Sequence, residues 1–272
     1  MSKYDLIAFD MDGTLLDSDK KIRQDSTDMI NTAVNAGKIV SLSTGRCVPE
    51  LTAYRQQLSS LQYIICLSGA FVFDTKNNRE IFSRQLPADT AGRILDEVKN
   101  MNVMIHLMSV DSVVQKDKIS RMADYHMGIY QSMFEEITVK PEDIYSYYKN
   151  NPKPLYKLNL YFRNQQERAL IRERLTPLGI SLAYAEETSL ECSAPHVSKG
   201  EGLKKLCEYL QLPVEKTIAV GDADNDLDIL RQAGLAVAMG NANENVRKIA
   251  DVIVNDNDHG GCAQAIREYL LP

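Results

Sequence analysis

The length, composition and charge of the chain limit what it can be. Its 272 residues, 44% of them hydrophobic, can bury the core of one large or two modest domains. The net charge of −6 argues against nucleic acid as a partner, because nucleic acid calls for a basic face. Five cysteines without a close pair, no signal-peptide pattern and no apolar run of about 18 residues predict a cytoplasmic protein with no membrane segment.

Apolar strands alternate with helical stretches through the first third of the chain. We predict strands over 4–9, 38–43 and 63–67, helices over 24–35 and 49–58, and a hairpin over 71–74 and 79–82. This alternation implies right-handed crossovers and a parallel sheet. Ligands of such a sheet bind beyond the carboxyl ends of its strands.

The alternation of apolar strands and helices stops after residue 83 and resumes at Val197. The central stretch contains helices and polar-flanked strands such as 155–161, which follows a turn at 152–154. We therefore predict an α/β core domain with a Rossmann-like, doubly wound parallel sheet over 1–82 and 191–272. An α+β domain is inserted into it over 83–190.

Two carboxylates follow the first predicted strand. Asp10 and Asp12 stand two residues apart, and because a strand repeats its side-chain direction every second residue, both can face one pocket. Gly13 lets the backbone approach a phosphate or metal closely, and Thr14 adds a hydroxyl. This layout is typical of an aspartate phosphotransfer site, and an acidic hairpin turn is the alternative.

The second strand ends in a hydroxyl, a glycine and a cation, namely Thr44, Gly45 and Arg46. A helix predicted to begin near Pro49 gathers backbone amides at the same place, which favours a bound phosphate. Taken alone the segment is weak, because Ser-Thr-Gly is common in loops and Arg46 can merely solvate a helix end.

Lys199 precedes a predicted helix in the segment Val197-Ser198-Lys199-Gly200. One face of that helix carries Leu203, Leu206, Cys207 and Leu210. A lysine before a helix is usually a solvated surface charge, so by itself this segment indicates no chemistry.

Alternating carboxylates follow an apolar strand in Gly221-Asp222-Ala223-Asp224-Asn225-Asp226. An EF-hand loop would need glycine where Leu227 stands and glutamate where Ala233 stands, so the EF-hand is excluded. Carboxylates favour a helix N-terminus, which explains Asp224 and Asp228 without any chemistry. The same preference does not explain Asp222 at the end of a strand.

Taken together and in this order, the four segments resemble motifs I to IV of the haloacid dehalogenase-like superfamily of aspartate-nucleophile phosphatases. The Thr-Gly-Arg and Val-Ser-Lys-Gly forms, with the segment 238–242, are similar to the Cof-type branch, whose large C2 cap matches the place of the insertion. The resemblance spans the whole chain and departs at two positions. Ser68 stands where that branch commonly has asparagine, so the role of the asparagine does not carry over. His196 stands where glycine is usual, as a loop residue or as a neighbour of the site.

The resemblance implies a Mg²⁺-dependent phosphatase. Asp10 is the nucleophile that forms an aspartyl-phosphate, and Asp12, held protonated by a neighbouring anion, protonates the leaving alcohol. The phosphate-binding residues are Thr44, Gly45, Arg46, Lys199 and Asn225. The metal ligands are the carboxylates of Asp10 and Asp222 and the carbonyl of Asp12, while Asp226 orients the waters of the ion. The acid at Asp12 argues for ester hydrolysis over dehalogenation.

The insertion is long enough for a lid, and a closing lid leaves space only for a small leaving group. We expect small phosphorylated metabolites as substrates, sugar phosphates above all, and a monomer or weak homodimer. Lys157 and Asn159 share one strand face and can meet sugar hydroxyls, although a solvated strand face explains them more simply.

Three other functions stay open. A phosphosugar mutase of the same superfamily carries these motifs and interconverts sugar phosphates. A receiver-like switch also surrounds an aspartyl-phosphate with acids, threonine and lysine, but receivers are small and lack the acid at Asp12. A non-catalytic phosphate-binding regulator has lost its catalytic residues, whereas every catalytic position here holds a competent one.

Overall fold

The protein forms two compact units. The computed structural model describes residues 3–109 and 111–271. The first unit comprises Met1–Arg46, Leu51–Ser83 and Ser198–Pro272, and the second comprises Cys47–Glu50 and Arg84–Val197. The domain limits that we derived from the sequence, with an insertion over 83–190, stay a prediction.

The strands form two sheets. In chain order they are β1 Leu6–Phe9, β2 Ile39–Ser43, β3 Tyr63–Cys66, β4 Phe71–Asp74, β5 Arg79–Ser83, β6 Met104–Met108, β7 Ser112–Val114, β8 Lys157–Tyr161, β9 Ser181–Ala183, β10 Ser189–Ser193, β11 Thr217–Gly221, β12 Leu235–Ala238 and β13 Val252–Ile253. The first sheet has the order β13-β12-β11-β1-β2-β3-β4-β5, and the second has the order β7-β6-β8-β10-β9.

Helices connect these strands. The α-helices are α1 Gln24–Asn35, α2 Ala88–Val98, α3 Lys116–Ile119, α4 Gln131–Ile137, α5 Ile144–Asn150, α6 Gln165–Leu175, α7 Lys199–Leu210, α8 Leu227–Gln232, α9 Glu244–Ile249 and α10 Gly261–Ala265. Across residues 3–109 and 111–271, no helix has the length and apolar character needed to cross a membrane.

The first sheet is parallel at its centre, as the alternation of strands and helices predicts. Strands β13, β12, β11, β1, β2 and β3 run parallel, and β4 and β5 add an antiparallel edge. Strand β1 lies between β11 and β2, where Phe9 is level with Val220 on one side and Leu42 on the other. From β1, the strand order proceeds through β2 and β3 on one side and through β11 and β12 on the other. Such a reversal of strand order is a switch point, which is the usual place of a ligand site.

Strand β1 is buried on both faces. All four of its residues are buried, as in other parallel strands that helices cover on two sides. Leu203, Leu206 and Cys207 of α7 belong to the same hydrophobic cluster as Leu6 and Ala8 of β1. Leu210, the fourth residue of the apolar face predicted for this helix, packs against the same cluster, so the face is confirmed at all four positions.

The segment after β2 differs from the α-helix predicted over 49–58. It forms a 3₁₀ turn at Val48–Tyr54, followed by non-helical turns. The carboxylate of Glu50 accepts a hydrogen bond of 2.7 Å from the amide of Cys47, which closes a tight local turn. Such short 3₁₀ pieces are common as connectors, and the apolar spacing in the sequence does not distinguish them from the start of an α-helix.

The second unit is built on an antiparallel sheet. One face of this sheet packs Leu107, Leu158 and Leu190 against residues of α2 and α6. The opposite face carries His106 on β6, level with Asn159 on β8. This unit has the α+β composition that the sequence predicts for the insertion.

Candidate active site

The predicted motifs meet at one edge of the first sheet. Asp10, Thr44 and Asp222 directly follow β1, β2 and β11, which are neighbours in that sheet. The amide of Asp10 donates a hydrogen bond of 2.9 Å to the carbonyl of Val220, and the amide of Thr44 donates one of 2.8 Å to Ile65. These two bonds extend β1 and β2 by one residue and hold Asp10 and Thr44 at the carboxyl edge of the sheet.

Lys199 is buried between two carboxylates. Its Nζ lies 2.5 Å from Oδ1 of Asp10 and 2.6 Å from Oδ1 of Asp226, and its side chain is 0% exposed. Burial lowers the pKa of Lys199, but the charges of Asp10 and then Asp226 outweigh burial and raise the pKa above its usual range. Lys199 is therefore a fixed ammonium group beside the predicted nucleophile and not a solvated surface charge.

Asp10, Asp222 and Asp226 form a cluster of acids. One carboxylate oxygen of each lies within 4.8 Å of those of the other two. Burial, followed by repulsion from Asp226, raises the pKa of Asp10 well above its usual range and raises the pKa of Asp222 to about 7. When all three carboxylates are ionised, as metal ligands must be, they carry two more charges than the ammonium of Lys199 balances. The cluster therefore fits a divalent cation with a preference for oxygen ligands, such as Mg²⁺.

Asp12 is bound by two cations. Arg46 holds its carboxylate with two hydrogen bonds of 2.8 Å, and Nζ of Lys20 lies 3.0 Å from Oδ1. Burial raises the pKa of Asp12, but Arg46 and then Lys20 outweigh burial and hold the pKa well below its usual range. The prediction that a neighbouring anion holds Asp12 protonated is wrong for this arrangement, because the neighbours of the carboxylate are cations.

Tyr54 organises both cations. Its hydroxyl donates a hydrogen bond of 2.9 Å to the carbonyl of Lys20, and its ring centroid lies 5.6 Å from the guanidinium carbon of Arg46. Sequence reasoning missed Lys20 and Tyr54. Lys20 lies in the loop after the first motif and Tyr54 in the turn after the second, and neither segment carries a pattern that marks them.

Thr44 begins the predicted phosphate loop. It is buried, and its Oγ1 accepts a hydrogen bond of 3.1 Å from the amide of Arg46, which leaves the hydroxyl hydrogen to donate. Gly45 joins the two residues. Arg46, predicted to bind phosphate, has its guanidinium directed to Asp12 in this structure.

Two buried polar atoms near this edge lack a partner. Oγ of Ser43, next to Thr44, and Oδ1 of Asn225, next to Asp226, make no hydrogen bond within the part of the chain that the structure describes. Buried polar atoms are nearly always hydrogen-bonded. Among the described residues, Oγ of Ser43 and Oδ1 of Asn225 are exceptions to this rule.

Gly13 lets the backbone of the first motif pass close to Asp222. It has a φ of +81°, and a Cβ atom at this position would overlap the carboxylate of Asp222. Thr14 then donates a hydrogen bond of 2.8 Å from Oγ1 to Oδ1 of Asp222. The first motif thus orients an acid of the fourth.

The two departures from the Cof-type pattern both have left-handed backbone. Ser68 has a φ of 57° and His196 a φ of 61°. Asparagine and glycine, the residues usual at these positions, tolerate this conformation best. Ser68 is buried, and its amide donates a hydrogen bond of 3.0 Å to the carbonyl of Thr44. His196 lies on an exposed loop, where its carbonyl accepts a hydrogen bond from Arg84.

Lys157 and Asn159 of β8 belong to a buried polar row in the second unit. Nζ of Lys157 lies 2.7 Å from Oε1 of Glu191, and both side chains are buried. Asn159 donates a hydrogen bond of 3.0 Å to Tyr161, and its Oδ1 has no partner among the described residues. The expectation that Lys157 and Asn159 lie on a solvated strand face is therefore wrong. The alternation of polar and apolar residues in a strand does not show which polar residues are covered.

Comparisons with known proteins agree with these motifs. A family model described as haloacid dehalogenase-like hydrolase matches residues 7–266. In Bacillus subtilis, the protein named Phosphatase YwpJ is 28% identical over 97% of this chain and 99% of its own. From the same organism, 5-amino-6-(5-phospho-D-ribitylamino)uracil phosphatase YitU is 28% identical over 97% of each chain.

A solved structure shares the fold. It is that of a haloacid dehalogenase-like hydrolase from Bacillus subtilis, which is 24% identical and superposes with a TM-score of 0.87 over 97% of this chain and 99% of the other. Because the family model spans most of the chain and the four motifs lie at one edge of the sheet, the chain belongs to the haloacid dehalogenase-like hydrolases, in their Cof-type phosphatase branch.

Proposed function

We propose that this protein is a Mg²⁺-dependent phosphatase that hydrolyses small phosphorylated metabolites, sugar phosphates above all, through an aspartyl-phosphate on Asp10. The observation that carries the proposal is the contact of the buried Lys199 ammonium with Asp10 and Asp226 at the end of β1. A cation fixed in this way neutralises the negative charge that accumulates when a carboxylate attacks a phosphate.

The reaction consists of two displacements at phosphorus. In the first, an oxygen of Asp10 attacks, the bond from phosphorus to the alcohol oxygen breaks, and the alcohol takes up a proton. In the second, water attacks the aspartyl-phosphate, the bond from phosphorus to the Asp10 oxygen breaks, and inorganic phosphate leaves. Thr44, Lys199 and the amide group of Asn225 hold the phosphoryl oxygens in both steps.

Asp12 handles the protons of both steps. With Arg46 and Lys20 bound to it, Asp12 is a carboxylate, the form that accepts the proton of the attacking water. To act first as an acid, it has to gain a proton. We infer that the phosphate dianion of the substrate attracts Arg46, which weakens its hold on Asp12 at that stage.

The residues that would hold Mg²⁺ are Asp10, Asp222 and Asp226, with the carbonyl of Asp12. When bound, the ion supplies positive charge that offsets the repulsion between nucleophile and phosphate. Because a carboxylate ligand must be ionised, metal binding and ionisation of Asp222 occur together.

The name of a relative supports the substrate class. YitU is by its name a phosphatase of a phosphorylated ribitylamino compound, which is small and rich in hydroxyls. A cytoplasmic location and a monomeric or weakly dimeric state stay predictions.

Replacing Asp10 by asparagine tests the mechanism. Asparagine has nearly the same shape but is a poor nucleophile, so we expect phosphate release to fall at least about a thousandfold. The matched control is Asp19→Asn, because Asp19 is an exposed acid whose side chain is 81% accessible. Wild-type turnover in a folded Asp10→Asn variant would remove the nucleophile assignment.

Turnover of several substrates tests the rest of the proposal. A hexose phosphate, an erythrose phosphate, pyridoxal phosphate and a phosphoserine protein are compared with Mg²⁺, with Ca²⁺ and after chelation. We expect phosphate release from the small compounds with Mg²⁺ only. Conversion of one sugar phosphate into its isomer without free phosphate would identify a mutase, and faster release from the phosphoprotein would refute the substrate class.

A further inference from the structure

The start of α7, which presents Lys199, is held from one side by α8. Ser198 is the N-cap residue of α7, and its Oγ accepts a hydrogen bond of 3.1 Å from the amide of Glu201. The same hydroxyl donates its hydrogen to Oδ2 of Asp228 in α8. One side chain thus caps the helix and ties it to its neighbour.

Asp228 is itself held in place. Nε2 of Gln232, one turn further along α8, donates a hydrogen bond of 3.0 Å to Oδ2 of Asp228. Gly200 follows Lys199, and a Cβ atom there would overlap the side chains of both Asp228 and Gln232. The first turn of α7 is therefore in direct contact with the Asp228 carboxylate, with no space for a side chain between them.

The ammonium of Lys199 needs this precision. It lies within 2.6 Å of two carboxylates while its side chain is fully buried, so a small displacement of its backbone breaks one contact or both. A shift of about 1 Å in a positioned group costs an enzyme on the order of a hundredfold in rate.

We propose that Asp228 is a positioning residue of this enzyme, which acts through the hydroxyl of Ser198 to place Lys199 against Asp10 and Asp226. The proposal rests on the proposed function. It adds Asp228, a residue to which we assigned no catalytic or binding role from the sequence. Asp228 lies outside the cluster of Asp10, Asp222 and Asp226, and it reaches the start of α7 through the hydroxyl of Ser198 and through its contact with Gly200.

A double-mutant cycle on Ser198 and Asp228 tests the proposal. Ser198→Gly removes the hydroxyl but keeps a residue that caps helices well, and Asp228→Ala removes its acceptor. We expect each variant to lower kcat about tenfold with less effect on KM, because Lys199 acts on charge that develops during transfer. The double variant falls by about the same factor as the single ones, because the bond between Ser198 and Asp228 is lost in all three. If the kcat of the double variant fell by the product of the two single factors, about a hundredfold, the two residues would act independently, and the proposal would be overturned.

A second measurement does not depend on activity. In protein with ¹⁵N-labelled lysine, the buried ammonium of Lys199 gives a slowly exchanging signal, which Lys199→Arg identifies by removing it. We expect Ser198→Gly and Asp228→Ala to shift or broaden this signal, and Asp228→Asn, which keeps an acceptor oxygen, to restore it. An unchanged signal in both variants would refute the positioning role, whereas absence of phosphatase activity in the wild type would refute the proposed function alone.

The matched control lies in the second unit. Asn164 caps α6 by accepting a hydrogen bond of 2.8 Å from the amide of Glu167, as Ser198 caps α7. Asn164→Gly therefore removes a comparable cap without touching Lys199. We expect its kcat to stay within about twofold of the wild type. A loss as large as that of Ser198→Gly would mean that cap loss in general lowers activity, which contradicts the proposal.

Discussion

At the scale of single residues, the contact between Arg46 and Asp12 has the clearest consequence. Two parallel hydrogen bonds from a planar guanidinium fix both the position and the orientation of a carboxylate, whereas an ammonium group fixes only its distance. A side chain that must first give up and then take up a proton benefits from this control.

Arg46→Lys is therefore not a conservative change. It keeps the charge but loses the paired hydrogen bonds, and a charge-assisted bond contributes about 1.5–3 kcal/mol, so we expect kcat/KM to fall about tenfold to a hundredfold. Steady-state kinetics with a sugar phosphate measures this fall in kcat/KM. Arg55→Lys, at an exposed position of the same segment, is the control. Equal activity of the two variants would show that the geometry of Arg46 does not matter.

A comparison of substitutions at Gly13 and Gly37 distinguishes the effect of backbone strain from the effect of a steric overlap. Both have left-handed backbone, with φ of +81° and +79°, but a Cβ atom at Gly37 would meet nothing within 4 Å. We expect Gly37→Ala to cost only about 1–2 kcal/mol of stability with normal activity. Gly13→Ala has the same strain and also displaces Asp222, so its phosphate release falls at least about tenfold. Circular dichroism and turnover, measured on both, check this prediction, and equal turnover would contradict it.

At the scale of secondary-structure elements, the polar face of β6, β8 and β10 contains an unusual histidine. His106 is buried, and its Nε2 lies 2.6 Å from Oγ of Ser112. Burial, and then the charge of Lys157, lowers the pKa of His106 to about 3. The imidazole is therefore neutral in the folded protein at any pH at which the enzyme works.

This pKa predicts a loss of stability in acid. Below a pH of about 6.5 the unfolded chain protonates His106 while the folded chain does not, so the free energy of unfolding falls as the pH falls towards 3. Down to pH 4.5 the contribution is at most roughly 3 kcal/mol. We expect His106→Gln to remove the part of the pH dependence that comes from protonation of His106. The difference in free energy of unfolding between wild type and variant therefore shrinks as the pH decreases.

Urea unfolding at several pH values, followed by far-ultraviolet circular dichroism because the chain has no tryptophan, measures this effect. His259→Gln, at an exposed site, is the control. A stability difference that does not change between pH 7 and pH 4.5 would show that His106 titrates normally.

Strands β1, β2, β3, β8 and β11 were predictable because each contains a local apolar run, and Asp10, Thr44 and Asp222 were predictable because they follow such runs. Asp10, Thr44 and Asp222 lie where the parallel order of β11, β1 and β2 requires. The contacts of Asp12 were not predictable. They join residues whose proximity depends on the folded chain, and only the fold decides whether its neighbours are anions or cations.

The burial of Lys157 and Asn159 on β8 was not predicted, for the same reason. Lys157 and Asn159 alternate with apolar residues as in a strand with one wet face. Burial of Lys157 depends on Glu191, which lies 34 positions further along the chain. Periodicity shows which residues share a face and does not show what covers that face.

At the scale of the whole molecule, the cluster of Asp10, Asp222 and Asp226 links folding to metal binding. A cation that binds only the folded chain stabilises it by mass action, by about 1.4 kcal/mol at ten times its Kd. We expect Mg²⁺ at that concentration to raise Tm by roughly 4 °C over chelated protein. Sodium chloride at equal ionic strength is the control. Asp222→Asn should lose most of the rise, and an equal rise in that variant would place the ion elsewhere.

The pairing of β1 with β11 also determines when the first unit can form during synthesis. Leu6 pairs with Thr217, so the ribosome must add more than 200 residues after β1 before that side of the strand finds its partner. At about 5–20 residues per second this takes on the order of 10–40 s. The second unit, continuous from Arg84 to Val197 apart from four residues, emerges within that interval. The second unit is therefore complete in sequence before the first, and β1, the strand that presents Asp10, gains its partner on that side only after Thr217–Gly221 has been made.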